Sequence, residues 1–363
     1  MDSRIREQAA VIVNHSTGVE QGDNVIITGS PESEDLIVAV SELCGEIGAT
    51  TEVKISSERA TRAYMRAVDE DDITLNEMAL AGIEAADVFI AIRGQSNMNE
   101  QSDVPPKKNQ KKAAENREIQ EAYLEKRWNL TQFPTKAGAQ KAEMSTDAYE
   151  NFVFSAVNKD WDAVKEHQAQ LVEILEDADE VHIKSGDTTD VTMSIKGNLV
   201  LNDNGEHNMP GGEVFTAPVP DSVEGEVLFD LPVMVQGREV NGAWLKFENG
   251  EVVEFTADKN EDVLEALLET DDGARRLGEL GIGMNRDIDQ FTYNMLFDEK
   301  MGDTVHMAVG RAYDDTVGEG NERNDSVVHT DMIVDMSEDS FITVDGEVIQ
   351  RNGTFIFEDG FEA

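Results

Sequence analysis

The chain is 363 residues long, enough for two domains and a sizeable core. It carries 75 acidic residues against 30 basic ones, a net charge of -45. Such a surface repels nucleic acid and anionic membranes, so neither is an expected partner.

The acids are spread between core-forming segments, as in VDEDDIT, EILEDADEV, ETDDGA and SEDSF, and are not gathered in a tail. Self-repulsion at this density is relieved by molar salt, where the Debye length falls to about 3 Å. A salt-adapted, cytoplasmic protein is therefore expected. Hydrophobic residues make up 39%, so a packed interior is available. The opening MDSRIREQAAVIVNHSTG is charged and amphipathic, unlike a secretory signal. No stretch approaches the ~20 apolar residues of a membrane span. Cys44, the only cysteine, lies in the apolar run DLIVAVSELCGEIG and reads as a small core residue.

The first half alternates strands and helices. Residues 4–15 read as a helix, 24–30 as a buried strand, 32–47 as a helix and 51–56 as a strand. Helical patterns follow in SSERATRAYMRAV and LNEMALAGIEAA, then a strand at 87–94. This alternation predicts a parallel, Rossmann-like sheet. The first strand ends in GSPES rather than GxGxxG, so no dinucleotide site is read there. The lysines at 107, 108, 111 and 112 follow Pro105 and Pro106 and read as a solvated helix start. RWNLTQFPTKAGAQKAEMS (127–145) reads as a shaped connector, with Trp128 and Phe133 packing and Pro134 fixing a bend. A long helix is expected over 146–177, with Tyr149, Phe152, Val153, Ala156, Val157 and Trp161 as its apolar stripe.

From residue 180 strands dominate, with Asn249-Gly250 and Asp345-Gly346 as hairpin turns and a helix over 260–276. The expected fold is α/β plus α+β. A Rossmann-like N-terminal domain (1–179) precedes a mixed, largely antiparallel α/β domain (180–363).

This second domain holds a scattered set of metal-ligand residue types. Glu213 lies in NMPGGEVFTAP, Glu279 in RRLGELGIGMN, His306 in LFDEKMGDTVHMAVG, and His329 with Asp331 in DSVVHTDMIVD. His329 and Asp331, two apart in a strand, share one face about 7 Å apart. Glu279 follows a glycine at the end of an apparent helix. Mixed nitrogen and oxygen ligation without thiolate suits Zn, Co or Mn. Each segment alone is weak, because an isolated strand histidine is more often a hydrogen-bonded core residue. His15, His167, His182 and His207 are read in that way, His207 with a structural role near Glu213.

In combination and in this order, NMPGGEVFTAP, GELGIG, FDEKMGDTVHMAVG and HTD resemble the aminopeptidase T and aminopeptidase S family of thermophilic metallo-aminopeptidases. RWNLTQFPTKAGAQKAEMS and YENFV resemble it too, so the likeness covers nearly the whole chain. It implies a catalytic second domain, a dinuclear metal centre, peptide substrates with a free N-terminus, and a homodimer. Its metal ligands fall on Glu213, Glu279, His306, His329 and Asp331, and a family tyrosine falls on Tyr313. The segment YDDTVGEGNERNDSVVH departs from the family in being shorter and more acidic. Three carboxylates balance two divalent ions and one hydroxide; a single ion leaves the site negative. Glu279 is the expected proton shuttle, and Tyr313 a ligand or oxyanion donor. Glu299 either receives the substrate amine or pairs with Lys300. Two rival readings are a metal-dependent amidase or dipeptidase on small substrates, and a non-enzymatic acidic metal-binding protein.

Overall fold

The computed structural model describes residues 2–235 and 237–362, which divide into two compact units. The first comprises residues 1–159 with 205–211, the second 160–204 with 212–363.

In the first unit, five parallel strands run in the order Thr50–Ile55, Asn24–Gly29, Val88–Arg93, Arg127–Gln132 and Asn208–Met209. Val25, Ile27, Val88 and Ile90 pack with Ile5, Ile12, Leu36 and Val40 on one face, while Ile26 packs with Ile83 and Ala86 on the other. Burial on both faces explains why Asn24–Gly29 and Val88–Arg93 read as continuous apolar runs. Cys44 is buried in the Glu34–Ile47 helix, as expected of a core residue.

The 127–145 segment is more than a connector, because Arg127–Gln132 is a sheet strand. Its buried polar residues hide the apolar pattern. They are held by partners distant in sequence: Asn129 donates to the His207 carbonyl at 3.1 Å, and Gln8 donates to the Thr131 hydroxyl at 3.0 Å. Trp128 packs against Tyr123 and against His207 at 4.7 Å between ring centroids, which gives His207 a structural place. The lysine cluster lies on the Pro106–Glu115 helix, with proline in its first turn. Lys108 donates to the Met65 carbonyl at 3.1 Å near the end of the Glu58–Ala67 helix, so it has a local structural partner.

The expected helix over 146–177 is two helices, Thr146–Val157 and Trp161–Leu175. Asn158 closes the first, and the Asp160 carboxylate caps the second by accepting from the Ala163 N–H at 3.1 Å. Leu171 and Leu175 join the core of the second unit. The division in the structure therefore falls at 159/160, ahead of the 179/180 boundary anticipated from sequence. The helix anticipated over 260–276 is likewise shorter, Glu261–Leu268 followed by a 3-10 turn at Asp272–Arg275.

The second unit contains two larger antiparallel sheets. One has eight strands, including the hairpins that turn at Asn249-Gly250 and Asp345-Gly346, where all four residues take positive φ. The other runs in the order His329–Asp335, Thr304–Gly310, Leu277–Gly283, Glu213–Thr216 and Leu201–Asp203. Its register sorts side chains onto two faces. Val214, Leu280, Ile282, Val305, Met307, Met332 and Val334 enter the hydrophobic core. The opposite face carries Asp203 beside Glu213, Gly281 beside His306, and Ala308 beside Asp331. No helix among the described residues is long and apolar enough to cross a membrane.

Candidate metal centre

The site is built on that second face. Glu279 is buried in the middle of a fully buried strand, not at a helix end as its glycine-rich setting had suggested. A bulge between Leu277 and Glu279 shifts the register against the Thr304–Gly310 strand. Bulges of this kind re-aim a side chain. Gly278 permits it: a Cβ there would lie 2.4 Å from the carbonyl oxygens of Gly310 and Arg311. Gly281, Ala308 and Gly310 keep the rest of the face shallow, leaving room for the imidazole and carboxylate side chains.

The structure brings five of the six expected ligand residues, Glu213, Glu279, His306, His329 and Asp331, together in two groups that share Glu279. Glu213, Glu279 and His306 offer atoms within 4.8 Å of one another, as do Glu279, His329 and Asp331. His306 Nε2 lies 3.1 Å from Glu279 Oε1 and 3.2 Å from Glu213 Oε2. His329 Nε2 lies 3.3 Å from Asp331 Oδ1 and 3.7 Å from Glu279 Oε2. The His329 Nδ1–H donates to the Arg311 carbonyl at 2.7 Å, which fixes the ring and turns Nε2 toward the carboxylates. Tyr313 packs its ring against His329, with centroids 4.8 Å apart.

Glu299 and Lys300, and Asp203, which the sequence did not single out, complete the cluster. Lys300 is fully buried, its Nζ 3.0 Å from Glu213 Oε1 and 3.6 Å from Asp203 Oδ2, and it donates to Glu299. Of the two roles left open for Glu299, its contact with Lys300 is present. The adjacent Glu-Lys pair was visible in the sequence; Asp203 lies in no motif and is brought in by strand pairing with Glu213.

Burial pushes the Glu213, Glu279 and Glu299 carboxyls above their ordinary range. Burial opposes charge on His306, but hydrogen bonding to Glu279 and the surrounding carboxylates outweigh it and raise the imidazole to about 10. The same contest at His329, won by Asp331 and Glu279, gives about 9. Asp331 is held low by His329 despite its burial. Burial and then the nearby carboxylates, Glu279 first, push the Tyr313 phenol upward.

A cation fits this donor set. Glu213 Oε2, Glu279 Oε2 and Asp331 Oδ1 are buried without a hydrogen-bond partner, and acceptor atoms left so in a protein interior are costly. The fold and site define a two-unit α/β protein with a carboxylate–imidazole centre suited to divalent cations. The sequence profile of the thermophilic metalloprotease family (M29) matches residues 1–361, and the chain belongs to that family. The family implies a divalent metal.

The chain is 32% identical over 273 residues to Aminopeptidase 2 of Geobacillus stearothermophilus, covering 64% of this chain and 65% of that protein. It is 40% identical over 151 residues to Aminopeptidase T of Thermus aquaticus, covering 38% and 36%. These matches span less than two thirds of the relatives' length. The solved structure of wild-type AmpT from Thermus thermophilus superimposes with a TM-score of 0.85 at 25% identity, over 98% of this chain and 99% of that one. A 2,5-dihydroxypyridine dioxygenase from Pseudomonas putida shares the fold alone, with a TM-score of 0.62 at 14% identity over 98% of each chain.

Proposed function

We propose that this protein is a metal-dependent aminopeptidase that removes the N-terminal residue from peptides. The observation that carries this reading is the place of Glu279 in both ligand groups, which gives two cations a common carboxylate. Family membership and relatives named as aminopeptidases support it.

In this reading Glu213, Glu279 and His306 hold one divalent cation, and Glu279, His329 and Asp331 the other. Zn, Co or Mn suits such nitrogen and oxygen donors. Bound there, the cations supply an activated water and polarise a peptide carbonyl. Glu279 accepts the proton from the attacking water and passes it to the leaving amine. Its place in both ligand groups sets it beside the attacked carbonyl in this reading. The Tyr313 hydroxyl, kept protonated, donates to the oxyanion that develops on the carbonyl, or adds a ligand. The Glu299 oxygen not held by Lys300 gives the substrate ammonium an anionic contact.

The finer parts of the reading follow the same line. The second unit is the catalytic one. The parallel first unit, with helices on both faces, is read as Rossmann-like. The acidic surface suits a salt-rich cytoplasm, and the enzyme is read as a homodimer.

The test is hydrolysis of aminoacyl-anilides, dipeptides and N-acetylated peptides in molar KCl, with cobalt or zinc added and with a chelator. Cleavage that needs both a free N-terminus and the metal is expected. Equal cleavage of N-acetylated peptides overturns the aminopeptidase in favour of an amidase. Turnover undiminished by the chelator overturns the metal mechanism.

A further inference from the structure

Lys300 is fully buried among three carboxylates. We propose that it is a positioning residue that occupies one oxygen of Glu213, so that Glu213 meets its cation through the other oxygen alone. This inference rests on the reading of the site as a two-cation centre.

The two oxygens of Glu213 have different surroundings. Oε1 lies 3.0 Å from Lys300 Nζ, and Oε2 faces His306 Nε2 at 3.2 Å with no hydrogen-bond partner. An ammonium has three donors and no acceptor, so Lys300 can only hold carboxylates, and three surround it: Glu213, Glu299 and Asp203. Because it also holds Glu299, it keeps that carboxylate from becoming an extra ligand to the same cation.

Charge gives a second, independent reason. The ionised site carries Asp203, Glu213, Glu279, Glu299 and Asp331, five negative charges, with one positive charge on Lys300. The remaining four negative charges match two divalent cations carrying a neutral water, where the count from Glu213, Glu279 and Asp331 alone needed a hydroxide. The balance drawn from three carboxylates alone omitted Asp203, Glu299 and Lys300.

Removing the ammonium while keeping its volume, as in Lys300→Met, frees Glu213 Oε1 and makes the site one charge more negative. Cobalt titration of the chelator-treated protein in molar KCl reads the result, by calorimetry and by visible absorption. One of the two cobalt ions is expected to bind at least about 10-fold tighter, with its absorption bands altered. Turnover falls by about 10- to 100-fold. A lysine that merely fills space predicts wild-type affinities and bands, which overturn the proposal, as does looser binding of both ions.

Glu299→Gln keeps Lys300 and decides the matter separately if Lys300→Met does not fold. It is expected to retain both ions, each held no more than about 10-fold more loosely because one negative charge is gone; loss of one ion makes Glu299 itself a ligand and sinks the proposal. Wild-type protein that takes up no cobalt overturns both this inference and the two-cation reading. Two ions bound by the wild type, with Lys300→Met unchanged, overturns this inference only.

Discussion

Gly281 lies against the imidazole of His306. The two are directly paired across neighbouring strands, and a Cβ at Gly281 would stand 2.0 Å from His306 Cε1 and 2.1 Å from Nε2. The φ of Gly281 lies outside the left-handed region, so space and not backbone conformation demands glycine here. Gly281→Ala is expected to push the ring off Glu213 and Glu279, with an overpacking penalty of about 1–3 kcal/mol. Metal content and melting temperature, measured together, check this. Full metal content in Gly281→Ala would show that the ring has room to move.

Glu279 belongs to both ligand groups, whereas His306 and Asp331 belong to one each. Glu279→Gln should fold but lose both metal affinity and turnover, the latter by about 100-fold or more. His306→Ala and Asp331→Ala should each retain about one ion per chain. Elemental analysis after gel filtration distinguishes the three variants. A near-normal rate of peptide hydrolysis in Glu279→Gln removes that residue from the mechanism.

The two imidazoles make the chelator-treated protein pH-sensitive in a defined direction. His306 and His329 are raised from 6.5 to about 10 and about 9. A raised folded-state value means that the stabilisation is complete below about 6.5 and is lost as pH climbs through the folded values. The melting temperature of the chelator-treated protein should therefore decline from about pH 7 to 10, steepest between about 7.5 and 9 and flattening above. Metal uptake requires neutral imidazole nitrogen, so cobalt binding near pH 7.5 should release about two protons per chain. Titration in weakly buffered solution measures that release; none at all would refute the charged-imidazole picture.

The net charge of -45 sets a salt dependence. Exposed carboxylates lie within mutual reach in dilute buffer and are screened in molar salt. The melting temperature should rise steadily as KCl goes from about 0.1 to 3 M, where the screening length falls from about 10 Å to below 3 Å. A flat profile by circular dichroism would remove salt adaptation as the reason for the composition.

The sequence was most legible where structure is local. The Asn249-Gly250 and Asp345-Gly346 turns need only two residues able to take positive φ, and both form. His329 and Asp331 share a face because a strand repeats every two residues. It was least legible where a distant partner changes the meaning of a segment. Leu277–Gly283 does not resemble a strand, because its glycines answer to His306 and to the Gly310 and Arg311 carbonyls across the sheet. Arg127–Gln132 was hidden in the same way, since Asn129 donates to the His207 carbonyl and Thr131 accepts from Gln8.

The amino-acid sequence by itself determined the kinds of donor available, the strand periods that expose them on one side, and the acidic surface. It also carried the family likeness. Only the tertiary structure decided which donors meet. Strand register aligns Asp203 with Glu213 and Ala308 with Asp331, and the buried ammonium of Lys300 gathers Asp203, Glu213 and Glu299. The physical reason is range: turn and strand preferences act over a few residues, whereas a cation centre depends on electrostatic contacts between segments about a hundred residues apart, which exist only once the sheet has closed.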